Sequence, residues 1–387
     1  MAASFQSRFQ LCVESAAIAL FSLLVRPAPR RKTKLLLFKP DRLGDLIVIA
    51  PHLQAMIAHF GAENTILVLS EANQAAARLL FPTCEQIVVP LYLPLRRWRE
   101  WLSFMRGVAA IDADHALFFR HYMRFPHTKA MWRVARAQNK RWVKSAEGHV
   151  TPPASDTWLM NGQPLVITTP PAFRESIETH IARVLLATVC GSDTLLSPLP
   201  RPLFPAPAPE APSGNYAVVF PFSNSPLRDL PAAMSQAIVS HLAQDPTQAV
   251  VLCGTRDRQT ELAQIALIAN QSFSAGQPGR IRVFIPPSFG AFYQAILDAR
   301  IVISTDTGSA HIAILHDCLF VGILGGGQYG IFAPWSVSDR QRWVSHPLPC
   351  YGCDWICKFD RAHCVTDIPI AAITAAIDDV LHQAPIA

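Results

Sequence analysis

From residue 34 to residue 324 the chain repeats one pattern: a short unbroken apolar run, a polar turn, then a segment with helical spacing of apolar residues. In the first half the runs are KLLLFK (34–39), TILVLS (65–70), EQIVVP (85–90) and HALFFR (115–120). In the second they are YAVVFP (216–221), AVVLCG (249–254), IRVFIP (281–286), RIVIST (300–305) and LFVGIL (319–324). A strand that reads apolar without alternation is buried on both faces, and strands separated by helices pair in parallel. The pattern therefore predicts an α/β chain with parallel sheets covered on both sides. Between the halves lies SPLPRPLFPAPAPEAPSGN, residues 197–215, whose seven prolines exclude a helix interior or a central strand. That stretch reads as a stiff extended linker.

The predicted organisation is an apolar and basic N-terminal segment (1–33), a first Rossmann-like domain (34–196), the linker (197–215), a second Rossmann-like domain (216–345), and a Cys-rich segment with a final helix (346–387). A length of 387 residues with 50% hydrophobic composition supports two cores of ordinary size. Each half opens alike, as LLLFKPDRLGDLIVIAPHLQAMIAHF and as AVVFPFSNSPLRDLPAAMSQAIVSHL. For such a pair, ligand is expected in the cleft between domains, at the carboxyl ends of the strands.

Several function classes fall away. Charged residues make up 16% and the formal charge is +6, with no zinc-finger spacing and no long Lys/Arg block, so no nucleic-acid partner is expected. Asp306-Thr307-Gly308 matches the tripeptide around a pepsin-like catalytic aspartate, but that chemistry needs two carboxylates sharing a proton in an all-β fold. The chain has one copy in an α/β setting, so Asp306 reads instead as a ligand-facing carboxylate at a strand end. The run LCVESAAIALFSLLV (11–25) is shorter than the roughly 20 residues of a spanning helix, and Arg26, Arg30, Arg31, Lys32 and Lys34 follow it. A secretory signal has the reverse order of charge and apolar run. The segment fits a helix lying on an anionic membrane surface, or a helix packed on the body of the protein. Either way the chain is expected to stay cytosolic.

Three motifs in order, KPDRLGDLIVIAP (39–51), SNSPLRDLP (223–231) and STDTGSAHIAIL (304–315), resemble glycosyltransferase family 9, the ADP-heptose:lipopolysaccharide heptosyltransferases. The resemblance spans roughly residues 34–370 and implies the GT-B fold, two Rossmann-like domains facing across a cleft. In the first motif Asp45 fits a helix cap or a general base that takes the proton from an acceptor hydroxyl; the resemblance implies the base, with inversion at the anomeric carbon. Lys39 and Arg42 flank the turn and suit substrate phosphates, although a solvated Arg42 fits as well.

In the second motif Ser223 and Ser225 offer hydroxyls, and Arg228 a cation for a departing diphosphate. The family usually carries lysine there and tryptophan two residues on; this chain has Arg228 and Leu230. Asp257, after the next strand, fits a ribose contact or a solvated loop. In the third motif the Thr307 and Gly308 amides open a helix and suit a diphosphate, while Asp306 and His311 suit the donor sugar; His311 matches the family by its spacing from Asp-Thr-Gly. GILGGGQYG (322–330) could sit against a nucleotide but lacks the closing residues of a phosphate loop. Arg120 and Arg124, with His121 and Lys129, suit an anionic acceptor or a solvated loop.

Of nine cysteines, Cys350, Cys353, Cys357 and Cys364 are bunched near the end. They suit a tetrahedral structural zinc or iron, or are plain reduced thiols; the resemblance includes autotransporter heptosyltransferases that bind iron through cysteines. No cofactor is expected for transfer itself.

The sequence thus predicts a cytoplasmic enzyme on the inner face of the inner membrane. It would move a heptose or related sugar from a nucleotide sugar, ADP-heptose by resemblance, to a lipopolysaccharide-core or other envelope glycolipid. The alternatives are a protein acceptor, or a GT-B module that binds nucleotide sugar without transfer.

Overall fold

The computed structural model describes residues 31–90, 97–119, 126–145, 157–160, 163–166, 176–191, 199–202, 212–271 and 280–383, with single positions 20, 25, 193, 194 and 196. Apart from positions 20 and 25, the N-terminal apolar run lies outside them, as do most of the proline-rich stretch and Arg120, His121 and Arg124. The chain divides into two compact units. One takes residues 1–149, 153–169 and 178–197, and the other 150–152, 170–177 and 198–387.

The first unit is built on β1 (Arg31–Lys39), β2 (Thr65–Ser70), β3 (Glu85–Val89), β4 (Ile111–Phe118), β5 (Arg136–Ser145), β6 (Thr157–Met160) and β7 (Gln163–Val166), in the order β3-β2-β1-β4-β5-β6-β7. The first five pair in parallel. β6 and β7 then run antiparallel, so the all-parallel expectation fails at this edge. The polar sequence RAQNKRWVKS of β5 offers no apolar run by which a pattern reading could find it. β4 starts earlier than its apolar run, because Ile111 and Ala113 alternate inward with Asp112 and Asp114. Phe38 and Phe118, opposite one another on β1 and β4, stack with ring centroids 4.0 Å apart.

β1 begins at Arg31, so the boundary at residue 33 is moved. Arg31 forks onto the Glu85 carboxylate of β3 and is thereby drawn from the basic cluster into the sheet. The helix Leu43–Phe60 is long and apolar enough to cross a membrane by length and composition alone. Its Leu46, Ile47, Val48, Ile49, Leu53 and Met56 are buried, and it packs on β1 and the helix Gln74–Leu80 as a core helix of this unit.

The second unit carries β8 (Tyr216–Phe220), β9 (Ala249–Cys253), β10 (Ile281–Phe284), β11 (Ile301–Thr305), β12 (Phe320–Leu324) and β13 (Gln341–Ser345), all parallel, in the order β10-β9-β8-β11-β12-β13. β8, β11 and β12 are buried throughout, as their unbroken apolar runs predict. One face packs with the helices Ala232–Leu242, Gln259–Gln271 and Ile370–His382 through Val219, Ile238, Leu262, Ile373 and Ile377. On the other, Tyr216 donates its hydroxyl to the Ala295 carbonyl of the helix Phe289–Leu297, at 2.9 Å. The segment after residue 346 is part of this core, with Cys364, Val365, Ile368 and Val380 buried in it.

Strand order reverses between β1 and β4 in the first sheet and between β8 and β11 in the second. At such a switch point the loops leaving two neighbouring strands diverge to opposite faces, which opens a crevice at their carboxyl ends. Two of the three motifs lie in the loops that leave β1 and β11, and SNSPLRDLP lies in the loop that leaves β8.

Candidate functional site

In the first unit the turn after β1 is held by the end of β2. Asn73 donates from Nδ2 to the Lys39 carbonyl at 2.8 Å, and its Oδ1 accepts from the Ser70 amide at 2.9 Å. The Ser70 hydroxyl donates to the Asp41 carbonyl. Lys39 does not present its ammonium to solvent: it is 2% exposed. Its Nζ lies 2.7 Å from Glu178 Oε2 and 3.2 Å from Asp41 Oδ2, and donates to the Phe119 carbonyl at the end of β4 at 3.0 Å. Burial alone would favour the neutral amine, but Glu178, Asp41 and Asp45 outweigh it, and the net displacement is upward from lysine's ordinary value. The expectation of a phosphate-binding Lys39 therefore gives way to a buried cation that organises carboxylates.

Asp45 sits at the third position of the helix Leu43–Phe60, where Arg42 is the N-cap residue. Its Oδ2 accepts from the Arg42 amide at 2.9 Å, so the capping role is real, though at the third helical position instead of the cap itself. Burial first, then the Asp41 carboxylate, push its carboxyl up to about 6, against the pull of Lys39; Glu178 adds to the rise and the Arg42 amide opposes it. A carboxyl in that range is a competent proton acceptor near neutral pH. Arg42 is exposed beside it.

In the second unit the loop after β8 is closed on itself. The Ser223 amide donates to Asp229 Oδ1 at 2.7 Å, and its hydroxyl donates to the Ser225 carbonyl and accepts from the Ser225 amide. Ser223 is thus engaged in shaping the loop. Arg228 donates from one terminal nitrogen to the Asp306 carbonyl at 2.9 Å and from the other to Asn224 Oδ1, so it bridges the loops after β8 and β11. Leu230, where the family pattern has tryptophan, is buried in the core.

The loop after β11 contains a chain of hydroxyls: Ser304 to Ser309 at 2.8 Å and Ser309 to Thr307 at 2.7 Å. Thr307 is the N-cap of the helix Gly308–Leu315, whose first amides face the crevice end of the sheet. Asp306 and His311 are both buried, with His311 Nε2 3.4 Å from Asp306 Oδ1. On its other side His311 Nδ1 accepts from the Trp335 indole at 3.0 Å. An indole nitrogen only donates, so Nδ1 carries no proton and the ring hydrogen is at Nε2, toward Asp306.

Asp257 is exposed, its carboxyl held below the usual range first by the Thr255 hydroxyl and then by its own backbone amide. Its neighbour Arg258 is the residue that joins the loops, with a terminal nitrogen 2.6 Å from Asp229 Oδ2 and its guanidinium over Phe222. Sequence reasoning missed Glu178, Asp229, Arg258 and Trp335. Only Asp229 lies within one of the three motifs, next to Arg228 in the second.

The three glycines Gly325–Gly327 do not form an open turn. A Cβ on Gly326 would fall 2.1 Å from the Tyr351 ring, and one on Gly327 2.3 Å from Trp355. These glycines exist so that the Cys-rich segment can lie on them. Within that segment the Cys350, Cys353 and Cys357 thiols are close enough to push the Cys364 thiol upward, after burial as the larger cause. Among the described residues, however, no three His, Cys, Asp or Glu side chains form a metal-holding group. Cys357 instead donates to the Arg361 carbonyl, and His363 Nδ1 is engaged by Asp367 at 2.7 Å. As arranged, the thiols do not fit a metal centre.

No family model matches the sequence, and no curated protein matches it. Solved structures do match. A glycosyl transferase family 9 protein from Veillonella parvula shares 14% identity at a TM-score of 0.62, over 93% of this chain and 99% of its own. Escherichia coli heptosyltransferase WaaC with ADP shares 16% identity at 0.61, over 90% and 100%. The bacterial iron-containing dodecameric glycosyltransferase TibC from enterotoxigenic E. coli shares 14% at 0.52, over 92% and 78%. The chain therefore has the fold of glycosyltransferase family 9 and the heptosyltransferases, two parallel-sheet α/β domains, over about nine-tenths of its length.

Proposed function

We propose that this protein is a glycosyltransferase of the heptosyltransferase kind, taking a heptose or related sugar from a nucleotide-sugar donor, ADP-heptose in the first instance. The observation that carries the reading is the loop pair at the β8–β11 switch point. There a guanidinium, a helix N-terminus and the buried Asp306–His311 pair are gathered, groups whose chemistry suits a nucleotide diphosphate and its sugar. WaaC, which shares the fold, is described with ADP and with an ADP-fluoroheptose.

On this reading the Asp45 carboxylate of the first unit accepts the proton of the acceptor hydroxyl as that oxygen attacks the anomeric carbon. The bond from that carbon to the donor's diphosphate oxygen breaks, and the electron pair leaves with the diphosphate. A single displacement inverts the anomeric configuration. Arg228 and the amides of Thr307 and Gly308 take up the departing charge, which is worth most where it develops in the transition state. His311, fixed in one tautomer by Trp335, orients the Asp306 carboxylate toward sugar hydroxyls.

The same reading keeps a cell-envelope glycolipid as acceptor and the cytoplasmic membrane face as the place of work, supported by the apolar run at 11–25 and the arginines after it. A protein acceptor is the alternative.

A thermal-shift titration of the purified chain with ADP, UDP, GDP, CDP and their sugar conjugates tests the donor. A ligand that binds only the folded state adds about 2.7 kcal/mol at a hundredfold excess over its Kd. Selective stabilisation by ADP and ADP-heptose is expected. A UDP or GDP preference would move the chemistry to another sugar, and no response to any nucleotide would sink the transferase reading.

A further inference from the structure

The Cys-rich segment is attached to the second motif by contacts that the proposed chemistry does not use. Its backbone is pinned to the glycine turn, with Gly352 N donating to the Gly326 carbonyl and Asp354 N to the Gly327 carbonyl, each at 2.8 Å. Asp354 Oδ1 accepts from Gln328 Nε2 at 2.7 Å. Asp354 and Trp355 both hold positive φ, 49° and 60°, a conformation unfavourable for side-chain-bearing residues that surrounding contacts must maintain. The consequence of the kink is the position of the Trp355 ring. It fills the space where Cβ atoms on Gly325 and Gly327 would stand, and the Arg228 guanidinium carbon lies over it, 5.8 Å from its centroid. The indole Nε1 is buried with no hydrogen-bond partner among the described residues, so the ring is not anchored by its polar edge.

We propose that Trp355 is a positioning residue for the donor's diphosphate: it holds the Arg228 guanidinium by a cation–π contact, making the Cys-rich segment one wall of the nucleotide site. This rests on the reading of Arg228 as a diphosphate ligand. An arginine in a half-buried loop has many rotamers. A ring on one face and the Asp306 carbonyl on one edge restrict it, while a stacked guanidinium still offers the edges of its plane to anionic oxygens. Leu230 is committed to the core, so no aromatic side chain at that position is available for this role.

The test is calorimetric titration of the full chain with ADP and with AMP, which differ by the phosphate that Arg228 would meet. In wild type, ADP is expected to bind more tightly than AMP, and R228Q should abolish the difference. W355L keeps bulk on the glycines but has no π face; it should weaken ADP by about 3- to 30-fold and leave AMP unchanged. W355F should restore most of the loss. Equal weakening of ADP and AMP in W355L would mean that Trp355 only supports the fold, and overturns the proposal. So does an unchanged ADP-to-AMP ratio in W355L when R228Q has lost it. If wild type binds no ADP, or R228Q binds it normally, the donor reading fails and the role of Trp355 fails with it.

Discussion

The two switch points carry the same frame and opposite chemistry. After β1 the turn is dense in charge: Lys39, Asp41 and Glu178 are buried together, with Asp45 beside them. After β11 the groups are hydroxyls, backbone amides and an imidazole in a fixed tautomer, with Arg228 as the cation at the rim. The first arrangement leaves one carboxyl able to exchange a proton near neutral pH, because burial and the Asp41 and Glu178 carboxylates outweigh the pull of Lys39 on Asp45. The second fixes donors and acceptors with no net charge to spare, which suits holding a ligand more than reacting with it. A strand–turn–helix unit supplies backbone geometry, and the side chains brought in from elsewhere decide which chemistry it performs.

The largest test of this contrast is Asp45→Asn. Asparagine can still accept from the Arg42 amide but cannot take a proton, so turnover should fall by about 10²- to 10⁴-fold with nucleotide affinity nearly unchanged. Loss of nucleotide binding in D45N would remove Asp45 from the catalytic role. The pH dependence follows from the sign of its displacement. The carboxyl must be ionised to act, so wild-type kcat/KM should rise with pH through about 6 and then level. Stability runs the other way. The folded state holds this proton more tightly than the unfolded chain, so its contribution is complete below the ordinary carboxylate range and is lost as pH rises through about 6. D45N should therefore show a flatter Tm-against-pH curve than wild type over that window.

Next in size is Lys39→Met. Removing the buried ammonium takes from Asp41 and Glu178 the cation they share, at a cost of about 3–5 kcal/mol by urea or thermal unfolding. If K39M unfolds like wild type, the first turn is not organised by that charge.

A smaller effect is expected at the second turn, where Trp335→Phe deletes the indole donor to His311 Nδ1. The buried nitrogen then loses its partner, costing about 1–3 kcal/mol, and the imidazole is freed to change tautomer. NMR of the ring nitrogens should show one Nε2–H form in wild type and a mixture in W335F; a mixture already present in wild type would refute the fixed orientation. Least of all, Asp257→Ala should leave the Tm close to that of wild type, since that carboxylate is exposed and held by the Thr255 hydroxyl and its own backbone amide. A large loss of nucleotide affinity in D257A would restore it to the site.

Much of this was legible in the chain before any coordinates. The unbroken apolar runs located β1–β3, the later part of β4 and β8–β12, most plainly β2, β8, β11 and β12, which are buried throughout and so leave no polar alternation. β5 and β13 were invisible for the converse reason: RAQNKRWVKS and QRWVS are half-exposed strands with no apolar block. Asp45, Arg228, Asp306 and His311 were found because a motif is a local run, and strand–turn–helix geometry places its members together without help from distant residues.

What the sequence could not determine is which remote side chains meet those motifs. Glu178 lies 139 positions from Lys39, and Trp335 lies 24 from His311. Trp355 reaches Arg228 only through a backbone kink set by the glycine turn it covers. Each of these meetings is a tertiary event, and burial there changes the chemistry of the residue that was already legible. Lys39 reads from sequence as a phosphate ligand and becomes an internal counter-ion, because the fold removes it from water and surrounds it with carboxylates. Local order in the chain fixes where the turns fall, and packing over long sequence distances fixes the charge, tautomer and orientation of the groups on them.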